Sequence, residues 1–383
     1  MKGPTYIDLF CGAGGLSTGL ARAGWHCRLA TDWWPDALRT HVHNAPSATV
    51  WDGDIHSLRG SKLNELAKGS PDWVVGGPPC QGFSTVGKRS REDERNGLFR
   101  EFFRVVKTLK PRGFLIENVL GLKDMRFGES VVELFESIGY TVAMHVVTAA
   151  EHGVPQLRRR VIFVGDIDGR WFLGPKAQRT PEQYVTVRDA IGDLPQLRPG
   201  ETSTNYSQPP KTAYQREMRR GSKTIQGHAA SAHPPSLVEA ISFIPDGGNR
   251  FSIPDRYQPK SGFHNSYSRL SSNEPAVAVT QNMGKPSGTR CIHPTQHRGL
   301  TTREGARLQS FPDTYHFLGG VTSQRLQVAN AVPPLLAEAI GRALLDSDRW
   351  LKSAPAEGTQ QPLKQAEGEK YELPRSRGLA FKL

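Results

Sequence analysis

Cys80 lies in the run Trp73-Val74-Val75-Gly76-Gly77-Pro78-Pro79-Cys80-Gln81-Gly82-Phe83-Ser84, where an apolar strand gives way to two glycines and two prolines. The prolines stiffen the backbone around the thiol, and such rigid presentation suits a nucleophile. Inert burial is the usual fate of a lone cysteine, but these flanks argue against a helix or a central strand. Glu117, in Gly113-Phe114-Leu115-Ile116-Glu117-Asn118-Val119, puts a carboxylate at the end of a buried strand, where glutamate seldom occurs without a partner. In Gly153-Val154-Pro155-Gln156-Leu157-Arg158-Arg159-Arg160, alternation along an extended chain puts Gln156, Arg158 and Arg160 on one side and Arg159 on the other. Near the N-terminus, Phe10-Cys11-Gly12-Ala13-Gly14-Gly15 is a glycine turn opening a helix, either a cradle for a nucleotide-type ligand or a purely structural turn. Asp32 and Asp54 each follow a short strand, where a carboxylate holds ribose hydroxyls or simply caps a helix or turn. A charge-dense loop, Ser84–Asn96, carries Lys88, Arg89, Arg91 and Arg95 against Glu92, Asp93 and Glu94; it reads either as a flap over a bound anion or as a solvated surface loop.

The elements that must position these residues follow from periodicity. Short apolar runs at Tyr6–Phe10, Arg28–Thr31, Trp73–Val75, Phe114–Ile116, Thr141–Val147 and Val161–Val164 alternate with amphipathic stretches, the pattern of a parallel sheet covered by helices. The clearest helix spans Leu98–Leu109 and ends at Lys110-Pro111. After residue 173 the chain becomes rich in proline and glycine, and basic residues gather in Arg216-Glu217-Met218-Arg219-Arg220-Gly221-Ser222-Lys223, so a second, loop-rich unit is expected. Regular structure is expected again from about Arg269, and Pro334–Leu345 reads as a helix that returns to pack on the first unit. The boundaries expected are 1–173 with 323–350 for the sheet unit, 174–322 for the second unit with its variable part at 174–265, and a disordered, polar tail over 351–383.

Composition narrows the class. The 383 residues carry 49 Lys and Arg against 37 Asp and Glu, a formal net charge of +12, which favours a polyanionic partner, nucleic acid before a membrane surface. No apolar run approaches the ~20 residues of a membrane span, and the start of the chain lacks the apolar stretch of a secretion signal, so a cytoplasmic protein is expected. Cys11, Cys27, Cys80 and Cys291 form no C-x-x-C pair, which leaves no zinc site or disulfide framework to expect. Cys11 and Cys27 read as packing residues.

Phe-x-Gly-x-Gly, Gly-Pro-Pro-Cys-Gln, Glu-Asn-Val and Gln-x-Arg-x-Arg, in this order, resemble the blocks of the cytosine-5 DNA methyltransferase family. Arg298–Asp313 is similar to the family's penultimate block and Gln327–Pro334 to its last, so the resemblance covers residues 5–345 apart from the middle insertion. It implies an α/β fold: a Rossmann-like sheet domain that binds S-adenosylmethionine, with a smaller, loop-rich target-recognition domain. Phe10, Gly12 and Gly14 would line the methionine and adenosine side, Asp32 the ribose, Trp33 the adenine face, and Asp54 with Ile55 the adenine edge. Pro79, Leu98, Asn330 and Ala331 would complete that pocket. Asp32 departs from the family, whose members usually carry Glu there.

The implied mechanism is addition of Cys80 to carbon 6 of a cytosine flipped out of duplex DNA, which activates carbon 5 towards the methyl group. Glu117 would hold the ring N3 and amine, Arg158 the base carbonyl, and Arg160 would orient Glu117 or the loop; no metal is required. Gln81, Ser84, Lys88 and Arg89 of the loop, and Arg216, Arg219, Arg220 and Lys223 of the insertion, are the expected DNA contacts. The expectation is a monomeric bacterial modification enzyme, with a cognate restriction endonuclease as a functional partner. The family's transfer-RNA methylating relatives share two of these blocks but as a rule lack a large middle region, so the insertion favours DNA. A nicotinamide-dependent oxidoreductase would leave Cys80, Glu117 and the arginine pair unexplained.

Overall fold

The computed structural model describes residues 3–79, 96–119, 125–258, 266–288 and 290–355. Strands β1 (Thr5–Leu9), β2 (His26–Asp32), β3 (Thr49–Asp52), β4 (Trp73–Gly76), β5 (Gly113–Val119), β6 (Thr141–Thr148) and β7 (Arg159–Asp166) form one sheet in the order β3-β2-β1-β4-β5-β7-β6. The first five are parallel, and β7 runs antiparallel to both β5 and β6. Central strands read as continuous apolar runs because both faces are covered. Tyr6 and Leu115 pack on one side, Ile7, Leu9, Phe114 and Ile116 on the other, all fully buried.

Helices α1 (Gly15–Arg22), α2 (Pro35–Asn44), α3 (Gly60–Leu66), α4 (Asn96–Leu109) and α5 (Met125–Glu136) fill the crossovers. Phe99, Phe102, Val105, Val106 and Leu109 recur at helical spacing on α4 and meet Phe135 of α5 under the sheet, which is why the strongest helical period in the sequence lies there. The chain leaves β1 towards β2 and β3, then crosses back to place β4 on the other flank. The carboxyl ends of β1 and β4 therefore border a crevice at the point where the strand order reverses, the place where open α/β sheets hold their ligands.

The smaller unit carries α6 (Val187–Ile191), α7 (Ala213–Arg219), α8 (Pro235–Ser242), α9 (Thr302–Leu308) and α10 (Val321–Asn330). α9 is buried along its whole length and is fixed by three arginines. Arg298 pairs with Glu304 at 2.6 Å, and the Glu304 carboxylate also accepts the Thr301 N–H that opens the helix. Arg303 donates to the carbonyls of Gln226, Pro312 and Tyr315. Arg307 holds Asp193 and Asp313, each at 2.7 Å. Between Tyr257 and α9 the described residues form only isolated bridges, such as Arg269 with Ile292, where regular structure was expected from Arg269. Pro275, Pro286 and Pro294 interrupt any ladder there, and the Arg269 guanidinium substitutes by donating to the carbonyls of Ile241, Ile244, His293 and Gln296.

α11 (Pro334–Leu345) returns to the sheet unit and lies against α1 so closely that a Cβ on Gly19 would stand 2.3 Å from the Pro334 carbonyl oxygen. β8 (Trp171–Phe172) and β9 (Trp350–Leu351) then pair antiparallel. α10 packs into the core around α9 and also bonds to the sheet unit, with the Thr40 hydroxyl donating to Gln327 Oε1 at 2.7 Å, while α11 packs into the core of the sheet. Residues 321–345 contain an 18-residue window of mean hydropathy at least 1.2, but 72% of that window is buried, which is the character of core helices. The tail expected to be disordered lies, from residue 356, outside the described residues.

Candidate active site

The turn after β1 is wound by three residues in the left-handed region, Phe10, Gly12 and Gly14. The Gly12 N–H donates to Asp32 Oδ2 at 2.8 Å and the Trp34 N–H to Asp32 Oδ1 at 2.9 Å, so one carboxylate ties the ends of β1 and β2 together. Burial raises the Asp32 carboxyl above its ordinary value, and these backbone donors pull the other way. The two glycines differ in purpose. A Cβ on Gly14 would lie 2.5 Å from His41 Nδ1, whereas one on Gly12 would meet no atom within 4 Å. Gly14 is therefore required by packing and Gly12 borders open space. Trp33, 77% exposed, stands at that rim, and exposed Asp54 caps a short 3-10 turn while accepting from His56. Phe10, Ile55 and Leu98 share one apolar cluster beneath it. On the far wall α10 ends in exposed Asn330 followed by buried Ala331, whose methyl group lies against Gly15.

The second half of the crevice lies beyond β4. Gly76 must be glycine because a Cβ would stand 2.1 Å from the Leu9 carbonyl oxygen. Gly77 follows beside Glu117 Oε2, and Asn118 Nδ2 donates to the Pro78 carbonyl at 3.0 Å, which fixes the chain as it enters half-buried Pro79. Cys80, Gln81, Ser84, Lys88 and Arg89 lie outside the described residues. Glu117 on β5 meets Arg160 on β7, with Oε1 and Nε 2.8 Å apart and both side chains nearly buried. Arg158, 4% exposed, donates from Nη2 to the Ala329 carbonyl at 3.0 Å, and its buried Nε has no acceptor among the described residues. Burial first, then the Arg160 charge, lowers its guanidinium to about 9, with Glu117 opposing. It remains charged at neutral pH, with one donor left unpaired among the described residues.

Arg158 thus stands between the Glu117–Arg160 pair and the helix end that carries Asn330. Gln156 does not join it, contrary to the alternation expected. The Gln156 N–H donates to the Val154 carbonyl and the Arg158 N–H to that of Gln156, so the chain turns tightly through 154–158 and becomes extended only at Arg159. Gln156 is fully buried and faces α9.

The remaining thiols are poor nucleophiles. Burial raises Cys11 well above its ordinary value and pushes Cys27 and Cys291 up to about 12. Of the basic cluster, Arg216, Arg220 and Lys223 are exposed. Arg219 is half-buried and already engaged, since it donates to Gln208 O at 2.8 Å, faces Asp193 at 3.2 Å and lies over the Tyr206 ring. Sequence alone assigns no role to Arg269, Arg303 or Arg307. Arginines four apart on one short helix were the available signal, since a helix presents such a pair on one face.

Residues 5–346 match the family described as C-5 cytosine-specific DNA methylase. The type II methyltransferase M1.HphI of Haemophilus parahaemolyticus is 42% identical over 348 residues, covering 89% of this chain and 86% of the relative. M.DdeI of Desulfomicrobium norvegicum, also a type II methyltransferase, is 37% identical over 372 residues, 88% of each chain. Among solved structures, a prophage-encoded E. coli protein assigned as a DNA modification methyltransferase superimposes with a TM-score of 0.73 at 27% identity, covering 89% of this chain and 98% of that one.

Proposed function

Because the chain belongs to the C-5 cytosine-specific DNA methylase family, we propose that it transfers a methyl group to carbon 5 of cytosine at a defined site in duplex DNA, as the modification half of a type II restriction–modification pair. The observation that carries this reading is the buried Glu117–Arg160 pair, 2.8 Å apart, with Arg158 beside it and Gly77, the first residue of the segment that leads in sequence to Cys80, next to Glu117. Carbon 5 of cytosine is a weak nucleophile. Addition of the Cys80 thiolate to carbon 6 converts the ring to an enamine, and Glu117, oriented by Arg160, supports the proton at N3 as charge gathers there. Arg158 donates to the base carbonyl. After methyl transfer, loss of the carbon 5 proton expels Cys80 and restores the aromatic ring.

The methyl donor is S-adenosylmethionine, whose sulfonium supplies an electrophilic methyl group. The residues at the β1–β4 crevice fit it: the open space at Gly12, the Asp32 carboxylate for ribose hydroxyls and the Trp33 ring for the adenine face, with Phe10, Asp54, Ile55, Pro79, Leu98, Asn330 and Ala331 around them. Gly14 shapes the turn from behind. In duplex DNA the target ring is stacked, so it must be flipped out at a cost of a few kcal/mol, offset by contacts from Gln81, Ser84, Lys88 and Arg89 and by phosphate contacts from Arg216, Arg220 and Lys223. One chain carries every residue of this site, so the monomer is the working unit. The RNA alternative is not favoured: the type II relatives align over 86% and 88% of their own lengths, the middle region included.

Base-resolution bisulfite sequencing tests this in cells lacking cytosine methylation that express either this chain or its Cys80→Ala variant. Protected cytosines in one short sequence context, present only with the intact chain, are expected. Methylation retained by Cys80→Ala overturns the mechanism, and unprotected DNA with an intact chain that binds S-adenosylmethionine overturns the substrate.

A further inference from the structure

Two amide side chains that contact no proposed substrate close a buried ring around the site. Gln156 Nε2 donates to the Leu308 carbonyl and to Gln309 Oε1, each at 3.0 Å, while Gln156 Oε1 accepts from the Val279 N–H at 3.1 Å. Gln309 Nε2 donates to the Val328 carbonyl at 2.7 Å and approaches that of Ala331 at 3.4 Å. The ring returns through Arg158, whose N–H donates to the Gln156 carbonyl and whose guanidinium holds Ala329, next to Val328. Gln156, Gln309 and Val328 are fully buried.

Leu308 ends α9 and Val328 lies in the last turn of α10, where helical carbonyls have no N–H of their own helix to accept. An apolar pair would fill the same space but leave both carbonyls unpaired and free to shift. The same stretch beyond α9 also reaches the glycine turn, for the Tyr315 hydroxyl donates to the Ala13 carbonyl. Arg158 belongs to the base side and Ala331 to the cofactor side, and the amide pair is bonded to the backbone of both.

We infer that Gln156 and Gln309 are positioning residues for methyl transfer, fixing Arg158 relative to the wall at Asn330 and Ala331 so that base and methyl donor meet in register. The inference rests on the base and cofactor roles proposed above. A misplacement of about 1 Å costs roughly 10²-fold in rate, so loss of either amide acts on the chemistry without touching a substrate.

The test compares Gln309→Met, Gln156→Met and the double variant with Tyr214→Phe, which removes a buried hydrogen bond to the Arg307 carbonyl in the same core but outside the ring. Steady-state methylation and calorimetric binding of S-adenosylmethionine are measured on folded, monodisperse protein. Each methionine variant is expected to lower kcat by about tenfold or more and to weaken S-adenosylmethionine binding by about fivefold, with KM for DNA changed less than about twofold. The double variant is expected to cost no more than the worse single, because the pair acts as one unit. Tyr214→Phe is expected to lower thermal stability while leaving kcat and both KM values unchanged. Methionine variants that behave like Tyr214→Phe, or whose effects add, overturn the inference. Should Gln309→Met fail to fold, Gln156→Met carries the same expectation. If the wild-type chain methylates no cytosine, the functional reading has failed, and the binding measurement still decides the positioning claim.

Discussion

Replacing Arg307 with methionine removes five hydrogen bonds from the centre of the smaller unit: two to Asp193, two to Asp313 and one to the Ala190 carbonyl. Both carboxylates are fully buried, and each keeps a weaker cation, Arg219 at 3.2 Å from Asp193 and Arg303 at 3.7 Å from Asp313. Breaking a buried ion pair by deleting one partner costs about 3–5 kcal/mol, and the remaining cations place this case near the lower figure. That is a large share of a domain stability of roughly 5–15 kcal/mol. Burial alone would raise the Asp313 carboxyl, but Arg307 first, with Arg303 and Tyr206 adding to it, more than offsets this and holds the group below its ordinary value. In the wild type its contribution is therefore present at neutral pH and lost as the pH falls through that lowered value. Without Arg307 only Arg303 and the Tyr206 hydroxyl oppose burial, so the carboxyl is expected to rise and the variant to lose stability as the pH climbs towards 7. The gap between the proteins is widest at pH 7 and narrows towards pH 4.5. All seven tryptophans lie outside residues 174–330, so fluorescence reports the sheet unit, and amide hydrogen exchange across α7 and α9 is the assay that reads this one. A pH 7 difference below about 1 kcal/mol, or a gap that stays constant on acidification, would refute the reasoning.

Gly12→Ala puts a Cβ into open space at a left-handed backbone, so it is expected to weaken S-adenosylmethionine binding by about tenfold for a stability loss of about 1–2 kcal/mol; calorimetry showing unchanged affinity would remove Gly12 from the cofactor wall. Asp8, fully buried on β1, accepts from the Ser17 hydroxyl at 2.6 Å, and burial pushes its carboxyl up to about 7, Ser17 opposing and Asp32 adding to the rise. The folded protein keeps a proton there that the unfolded chain releases near its ordinary value of 3.8, so stability falls as the pH rises from about 4 to 7. Asp8→Asn is expected to abolish that slope, and urea midpoints that remain parallel from pH 4 to 8 would contradict it.

The sheet was legible because a parallel strand covered on both faces has no polar alternation to blur it, so Tyr6–Phe10 and Phe114–Ile116 mark β1 and β5 to within a few residues. Pro334–Leu345 was legible to the residue, with proline setting its start. The partnership of Glu117 was legible as a need, since a carboxylate in such a strand requires a cation, but not its identity. Gln156 and Arg219 show where local rules end. The turns at 154–158 are backbone hydrogen bonds that alternation cannot anticipate, and Arg219 is claimed by Asp193 and Tyr206, 26 and 13 residues earlier in the chain. The arginines of α9 were missed for the same reason, because their acceptors are carbonyls and carboxylates supplied by distant segments.

The contact between α1 and α11 joins the first helix of the sheet to a segment some 320 residues later, with glycines allowing no side chain between them. During synthesis at about 5–20 residues per second, β1 and α1 therefore wait tens of seconds for the helix that covers them. Most of the core around α9 emerges in the interval, before the returning Ala331 and Leu335 complete it and the sheet can close. A chain reordered so that residues 331–355 precede β1 would make that contact local. It would shorten the exposed interval at the cost of opening the chain between Asn330 and Ala331 on the crevice wall, turning a late, long-range closure into an early one.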